Sequence, residues 1–187
     1  MKGTNTMSPE LERKSEPIIR ETSMDDVITV RKMQAQSWLD TYPDAGSGVS
    51  REWVKEVTDR WLTPEGLDNS LTFMGGIIGN PNNFHCVAVD GNEVIGCSHV
   101  SNVDGQQVLQ ALYVDKNQHG KGVAQKLMDQ SMGWLDTKKP IQLEVADYND
   151  RAIAFYRKYG FDIEPGSEHI FADIIPTINM IRKGDKK

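Results

Sequence analysis

Apolar side chains recur at helical spacing in several segments of the chain. The strongest pattern extends from Gly120 to Lys139, where one face carries Ala124, Leu127, Met128, Ser131 and Leu135. Capping and stop signals accompany the other helical segments. These predict helices over 24–39 after the cap residue Ser23, from Ser50 to the Thr63-Pro64 step, from Pro64 to about Gly75, and from the cap residue Asn149 to Gly160.

The middle and the end of the chain have the residue pattern of β-strands. Strands are predicted at 17–20, 85–89, 93–100, 107–114, 141–146, 161–163 and 171–181. If Gly91-Asn92 forms a two-residue hairpin loop, Cys86 faces Cys97 across the hairpin. Because several strands follow one another without helices between them, the pattern indicates an α+β fold with a mixed sheet and not a doubly wound α/β fold.

Composition narrows the class of protein. The chain has 187 residues, 27 acidic and 21 basic, for a formal net charge of -6. That balance argues against a nucleic-acid-binding protein, and the sequence has no apolar run of about 18 residues for a membrane helix. The two cysteines are too few for a disulfide scaffold or a Cys-based zinc site. We therefore expect a cytoplasmic protein without a metal, with a disordered tail over 1–16 and one domain over 17–183.

The first chemical signal is the segment from Leu112 to Ala124, where a predicted strand runs through Gly120-Lys121-Gly122 into an amphipathic helix. This arrangement directs backbone N–H groups and the positive end of a helix dipole at one point, which suits phosphate oxygens. Glycine removes the Cβ that would hold a ligand away. The segment matches neither a nucleotide P-loop nor a dinucleotide fingerprint.

The second signal covers 143–161, with Asn149, Ala152, Phe155-Tyr156 and Gly160-Phe161. Each residue alone has a structural explanation as a cap or a core side chain. Together, in this order, the two segments resemble those of the GNAT superfamily of acyl-CoA N-acyltransferases. The turn matches its Gln/Arg-x-x-Gly-x-Gly/Ala motif with His119 in the first place, and the second segment fills every place of Asn-x-x-Ala-x-x-Phe-Tyr-x-Lys-x-Gly-Phe.

The resemblance implies a three-layer α+β fold, in which helices flank a central, mixed but mostly antiparallel sheet of about six or seven strands. The sheet would splay between the strands at 107–115 and 141–146. Acetyl-CoA, as co-substrate, would bind in that opening. The residues that would contact it are Leu112, Tyr113, Val114, His119, Gly120, Lys121, Gly122, Val123, Ala124, Asn149, Ala152 and Tyr156.

The resemblance also implies a reaction, the transfer of an acetyl group to a primary amine by direct attack on the thioester. Tyr156 matches the family's general-acid tyrosine, because a phenol stays protonated until a thiolate forms. Glu144 and His99 are only weak candidates for the general base, and neither is assigned. A non-catalytic acyl-CoA-binding regulatory module with the same fold is the alternative function.

The acceptor is open at this stage. A small molecule such as a polyamine, an amino acid or an antibiotic-like amine would serve, and so would a peptide. Its pocket is predicted within residues 38–80 and the last two strands, with Trp38, Tyr42, Trp53 and Trp61 as aromatic candidates. A homodimer is possible, while nucleic acid and membrane are not expected as partners.

Overall fold

The computed structural model describes residues 16–185, so the predicted tail lies outside the described residues except for Glu16. The main elements of this part of the chain are five α-helices and eight β-strands. In order they are β1 (Ile18–Glu21), α1 (Val27–Thr41), α2 (Arg51–Trp61), α3 (Pro64–Gly75), β2 (Asn83–Asp90), β3 (Glu93–Val103), β4 (Gln106–Val114), α4 (Val123–Trp134), β5 (Ile141–Ala146), α5 (Asp150–Arg157), β6 (Phe161–Ile163), β7 (His169–Phe171) and β8 (Ile175–Arg182). Three of the predicted helix starts are confirmed, because Ser50, Thr63 and Asn149 each accept a backbone hydrogen bond at a helix N-terminus. Helices α1 and α4 begin three residues later than predicted.

The strands form one mixed sheet in the order β1-β2-β3-β4-β5-β8-β6, with β7 paired to β8. Every pair is antiparallel except β4 with β5. The parallel pairing covers only three residue pairs and ends at Leu109 and Leu143, so the two strands separate beyond that point. The predicted splay is therefore confirmed. The sheet has eight strands, where the sequence predicted about six or seven.

Helices cover both faces of the sheet, which confirms the three layers. On one face, Val30 and Met33 of α1 pack against Val87 and Cys97. On the other face, α4 packs against the alternate residues of the same strands: Val123 and Leu127 contact Cys86, Ala88 and Ile95. Alternation along a strand sends neighbouring side chains to opposite faces, so each strand contributes to both layers.

The predicted pairing of Cys86 with Cys97 is wrong. Asp90 does face Glu93, but the register shifts at Val89, and Cys97 instead faces Val87. Ile95 is the extra residue of this β-bulge. It packs on the α4 face while Cys97, two positions later, packs on the α1 face, and only an inserted residue reverses the alternation in this way. Both thiols are free, and burial raises the pKa of each to about 12.

The larger differences from the predicted boundaries lie at the end of α4 and between β7 and β8. Helix α4 ends at Trp134 rather than at Lys139, because the buried side chain of Gln107 forms hydrogen bonds with the backbone just after the helix. The amide of Gln107 accepts from the backbone N–H of Asp136 at 2.7 Å and donates to the carbonyl groups of Asp136 and Pro140. The segment predicted as one strand, 171–181, contains a turn at Ala172 and Asp173, whose φ angles of 49° and 65° separate β7 from β8.

Candidate active site

The opening between β4 and β5 holds a cavity of about 520 Å³. A second β-bulge precedes it, since Leu109 pairs with Val100 and Ala111 with His99, which leaves Gln110 as the extra residue. Bulges often occur beside active sites, where they redirect side chains. We call this opening, together with its cavity, the fork.

The fork brings together all of the predicted contact residues except one. Its lining includes Leu112, Tyr113, Val114, His119, Gly120, Gly122, Val123, Ala124, Asn149, Ala152 and Tyr156. Lys121 is not among the residues that line the fork, so its contribution would come from the backbone or from long-range charge. Positions as far apart as Leu112 and Tyr156, 44 residues along the chain, thus surround one space.

The glycine turn leaves room for a ligand. Gly120 and Gly122 have φ angles of 77° and 80°, and a Cβ built on either of them would meet no atom within 4 Å. Gly122 is the N-cap of α4, so the first backbone N–H groups of that helix open towards the fork. This is a cradle that a side chain would fill. Its shape and its backbone donors fit a pyrophosphate group.

His119 holds the turn against its neighbours. Its Nδ1 lies 2.5 Å from a guanidinium nitrogen of Arg151, and its Nε2 lies 3.2 Å from the carbonyl oxygen of Val114. Since an arginine can only donate, Nδ1 is the acceptor and Nε2–H donates to the carbonyl. Burial, followed by the charge of Arg151, lowers the pKa of His119. The residue in the first place of the motif therefore joins β4, the glycine turn and α5 through its side chain.

The start of α5 completes the wall of the fork. The side chain of Asn149 accepts from the backbone N–H of Ala152 at 3.1 Å and so caps the helix. Asn149 is thereby oriented by its own helix while it lines the cavity. The cap is a structural function, and it does not conflict with the predicted contact, because the amide N–H₂ group stays available as a donor.

Tyr156 lies on the α5 wall of the fork, and its ring is almost fully buried. The ring packs edge-on against Phe155 and Phe161, with centroids 5.5 Å and 6.1 Å away. Within residues 16–185, the hydroxyl has no hydrogen-bond partner, which leaves it available to a ligand in the cavity. Burial raises the pKa of Tyr156 above that of a free tyrosine, so the group is a protonated phenol at neutral pH.

Neither weak candidate for the general base gains support from its surroundings. Glu144 lines the fork but accepts a hydrogen bond from Nε2 of His169 at 2.7 Å. His99 lies outside the fork, where its Nε2 is 3.0 Å from the side-chain oxygen of Asn83. Burial lowers the pKa of His99 to about 4, which makes it a weak base towards an ammonium group with a pKa near 10.4.

A second cavity of about 720 Å³ adjoins the fork, and Gln110, Ala111 and Tyr113 line both. Of the four aromatic candidates, Trp38 and Trp61 line it, together with Phe171 of β7, whereas Tyr42 lines the fork and Trp53 lines neither cavity. At the shared wall, Nε1 of Trp38 donates to the hydroxyl of Tyr113 at 3.1 Å. Sequence reasoning missed the residues that α1, β2 and β3 contribute, such as Arg31, Gln34 and His85. The periodic pattern of apolar residues does not indicate that these side chains line a cavity, because their neighbours in space are distant in the chain.

A sequence model described as the acetyltransferase (GNAT) family matches residues 31–161, more than two thirds of the chain. The chain belongs to the GNAT acetyltransferase family. The match spans the glycine turn, the fork and Tyr156. A comparison with curated protein sequences gives no match.

Many solved structures share this GNAT fold. PaiA N-acetyltransferase from Thermoplasma acidophilum, in complex with coenzyme A, has 22% sequence identity and a TM-score of 0.70, over 90% of this chain and 99% of that one. YncA from Salmonella typhimurium, with its cofactor acetyl-CoA, has 16% identity and a TM-score of 0.65, over 92% and 96%. The ribosomal-protein-S18-alanine N-acetyltransferase from Escherichia coli has 16% identity and a TM-score of 0.62, over 91% and 96%. At these identities, the likeness establishes the fold.

Two further observations concern residues 16–185 alone. No helix in that range is both long and apolar enough to cross a bilayer. The same residues contain no group of three or more His, Cys, Asp or Glu side chains that could together hold a metal ion.

Proposed function

We propose that this GNAT protein is an acetyl-CoA-dependent N-acetyltransferase that acts on the primary amine of a small molecule or a peptide. One observation carries the proposal. The fork places a cradle of glycine backbone and the free hydroxyl of a protonated tyrosine on one cavity, and that cavity shares a wall with a second one. A binding module would need the cradle, but it would not need a proton donor beside it.

The residues of the fork have distinct tasks in this proposal. The glycine turn and the start of α4 would hold the pyrophosphate, and Asn149 would contact the pantetheine arm. Acetyl-CoA supplies an acetyl group activated as a thioester. The edge of β4 beyond Leu109 has no strand partner on the β5 side within the described residues, so its backbone is open to the ligand. A backbone N–H there, at Leu112 or Val114, would stabilise the oxyanion.

Tyr156 would act as the general acid. As the neutral amine attacks the carbonyl carbon, a C–N bond forms and the C–S bond breaks. The hydroxyl of Tyr156 gives its proton to the departing sulfur, and the amine releases its own proton to water. Burial keeps the proton on the phenol at neutral pH, so the acid form is present when the thiolate departs.

The amine acceptor would enter from the second cavity. This cavity meets the fork at Gln110, Ala111 and Tyr113, where acetyl group and amine would come together. Holding the two reactants in contact can by itself supply a large part of a rate enhancement.

The direct test measures thiol release from acetyl-CoA with a panel of polyamines, amino acids, aminoglycosides and peptides, with mass spectrometry of the products. We expect amine-dependent thiol release and an N-acetylated product. Calorimetry with CoA is run in parallel. Tight CoA binding without thiol release from any amine would favour the non-catalytic acyl-CoA-binding module instead.

A further inference from the structure

The second cavity has an unusual charge for this protein. The whole chain has a formal net charge of -6, yet none of the residues that line this cavity is an Asp or a Glu. Its titratable side chains are Arg31, His85, His99 and Tyr113. Burial lowers the pKa of both histidines to about 4, so they are neutral at pH 7. The cavity therefore carries one positive charge, from Arg31.

The guanidinium of Arg31 is held in place without a carboxylate. Its Nε donates to the hydroxyl of Ser70 at 2.9 Å, and Ser70 in turn donates to the carbonyl of Gly66. Its central carbon lies 5.0 Å from the ring centroid of Trp61, in cation–π contact. No Asp or Glu within residues 16–185 forms an ion pair with it. The two terminal nitrogens, with four N–H groups between them, have no hydrogen-bond partner in that range.

The guanidinium of Arg31 has lost part of its hydration without gaining a counter-charge. Arg31 is half-buried, and burial is the main influence on its pKa. A cation that is taken from water is stable when an anion supplies the missing partner, and a guanidinium fork matches a carboxylate with two parallel hydrogen bonds. Stacking on Trp61 and the bond from Nε fix the plane of that fork in advance, which lowers the entropy cost of binding.

Aromatic rings form the apolar wall beside Arg31. Trp38 and Trp61 meet edge-on with centroids 4.6 Å apart, and Phe171 lies 6.2 Å from Trp38. Phe73 also lines the cavity, although its side chain is largely exposed. These surfaces would pack against an apolar group of the acceptor and would offer nothing to a second ammonium group except the ring faces.

We infer that the acceptor is an amine that also carries a carboxylate and an apolar side chain, as an apolar amino acid does, with Arg31 binding the carboxylate. This inference rests on the proposed function for the identity of the cavity as the acceptor site. The carboxylate is anchored at α1, the apolar group packs on the aromatic wall, and the amine faces the fork at Tyr113. A polyamine fits poorly, because its extra positive charges would meet Arg31 and no carboxylate.

The test uses series of amines that differ only at the carboxyl group. L-phenylalanine is compared with L-phenylalaninamide and phenethylamine, and L-leucine with its amide and with isoamylamine. The protein with bound CoA is titrated with each compound by calorimetry, and acetyl transfer from acetyl-CoA is measured separately. We expect the free acid to be favoured over its amide by about tenfold to a hundredfold in both affinity and kcat/KM, the usual effect of a charge-assisted hydrogen bond.

Two variants locate the cause. Arg31→Met keeps the length of the aliphatic stem and removes the charge, and it should abolish the preference for the acid over the amide. Arg31→Lys should keep a reduced preference, since it retains the charge but not the two-pronged geometry. Arg60→Met makes the same charge change on the exposed side of α2, outside the cavity, and should leave the preference intact.

The outcomes separate this inference from the proposed function. Acid binding that depends on Arg31, without acetyl transfer, would support the carboxylate site and overturn the N-acetyltransferase. Transfer to the amides or to polyamines at rates equal to or above those of the acids, unchanged in Arg31→Met, would overturn the carboxylate site and leave the enzyme standing. If neither binding nor transfer occurs with any acid, the carboxylate site is wrong.

Discussion

Single atoms decide the chemistry that we propose for the fork, and the hydroxyl of Tyr156 is the most informative of them. The ring of Tyr156 packs between Phe155 and Phe161, the residue lines the cavity, and its hydroxyl has no hydrogen-bond partner within residues 16–185. Packing and chemistry are therefore carried by different parts of one side chain, and a substitution that removes only the oxygen separates the two.

In Tyr156→Phe we expect kcat to fall by roughly 10²–10⁴-fold, the usual size of a general-acid contribution. KM for acetyl-CoA should change little, since the lost interaction forms mainly in the transition state. The measurement is steady-state acetyl transfer with the best amine, under conditions where chemistry limits the rate. Tyr159→Phe is the matched control, because that hydroxyl donates to Asp129 at 2.9 Å, outside the fork. Near-normal turnover in Tyr156→Phe would show that Tyr156 is a core aromatic residue and not the general acid.

The glycine turn is a second site where one atom matters. At Gly122 the φ of 80° is unfavourable for a β-branched residue, and the space beside it is the cradle. We expect Gly122→Val to abolish CoA binding by calorimetry, while Lys121→Ala has a smaller effect because its side chain does not line the fork. Circular dichroism checks that the variant is folded. Unchanged CoA affinity in a folded Gly122→Val protein would remove the turn from the binding site.

At the scale of elements, the connection from β1 to α1 depends on one carboxylate. Asp26 accepts from both terminal nitrogens of Arg20, at 2.7 Å and 2.8 Å, and from the backbone N–H and the hydroxyl of Ser23. The side chain of Arg20 thus joins the edge strand to the turn that precedes α1. The hydrogen bond from Arg20, followed by those from Ser23, holds the pKa of Asp26 well below its usual range, in opposition to burial.

We expect Asp26→Asn to lower the free energy of unfolding by about 2 kcal/mol at pH 7, because it removes a buried, hydrogen-bonded charge. A carboxyl group with a lowered pKa stabilises the fold above its ordinary pKa and loses that contribution as the pH falls through the folded value. The difference between the two proteins should therefore shrink below about pH 4. Urea unfolding at several pH values measures it. Asp25→Asn, on the exposed neighbour, should have little effect at any of them.

For the whole molecule, the buried His85 and the half-buried His99 predict how stability depends on pH. His85 is hydrogen-bonded to Thr22 at 2.7 Å, and His99 lies beside it with ring centroids 5.7 Å apart. Burial lowers the pKa of both to about 4. The unfolded chain, whose histidines titrate near 6.5, binds more protons between these two values, so the fold loses stability as the pH falls from about 6.5 to 4.

We expect the free energy of unfolding to decrease by about 2–4 kcal/mol between pH 7 and pH 5, in a range where carboxyl groups contribute little. The double variant His85→Gln, His99→Gln should show a much flatter profile in urea unfolding. His169→Gln is the control. Its imidazole is exposed and its pKa is raised, mainly by the carbonyl of Ser167 and the carboxylate of Glu144, so its effect on stability has the opposite sign. A steep profile that persists in the double variant would contradict the assignment.

The elements and the glycine turn were determined by the sequence itself. Caps such as Ser50 and Asn149, the helical spacing and the turn residues act within a few positions, so they can be interpreted without the fold. The two motif segments, through their resemblance to the GNAT superfamily, implied the opening between β4 and β5 before its geometry was known. Only Lys121 among the predicted contact residues does not line the cavity.

The tertiary structure alone decided the register at Ile95, the end of α4 and the second cavity. The bulge at Ile95 depends on which helix covers each face of the sheet. Helix α4 ends at Trp134 because the backbone that follows is hydrogen-bonded by Gln107, which lies 27 residues before Trp134 in the chain. Arg31 has no local sign of a ligand, because its neighbours Ser70 and Trp61 lie thirty or more residues away. Local patterns specify elements, whereas desolvation and unpaired charge exist only after distant segments have packed together.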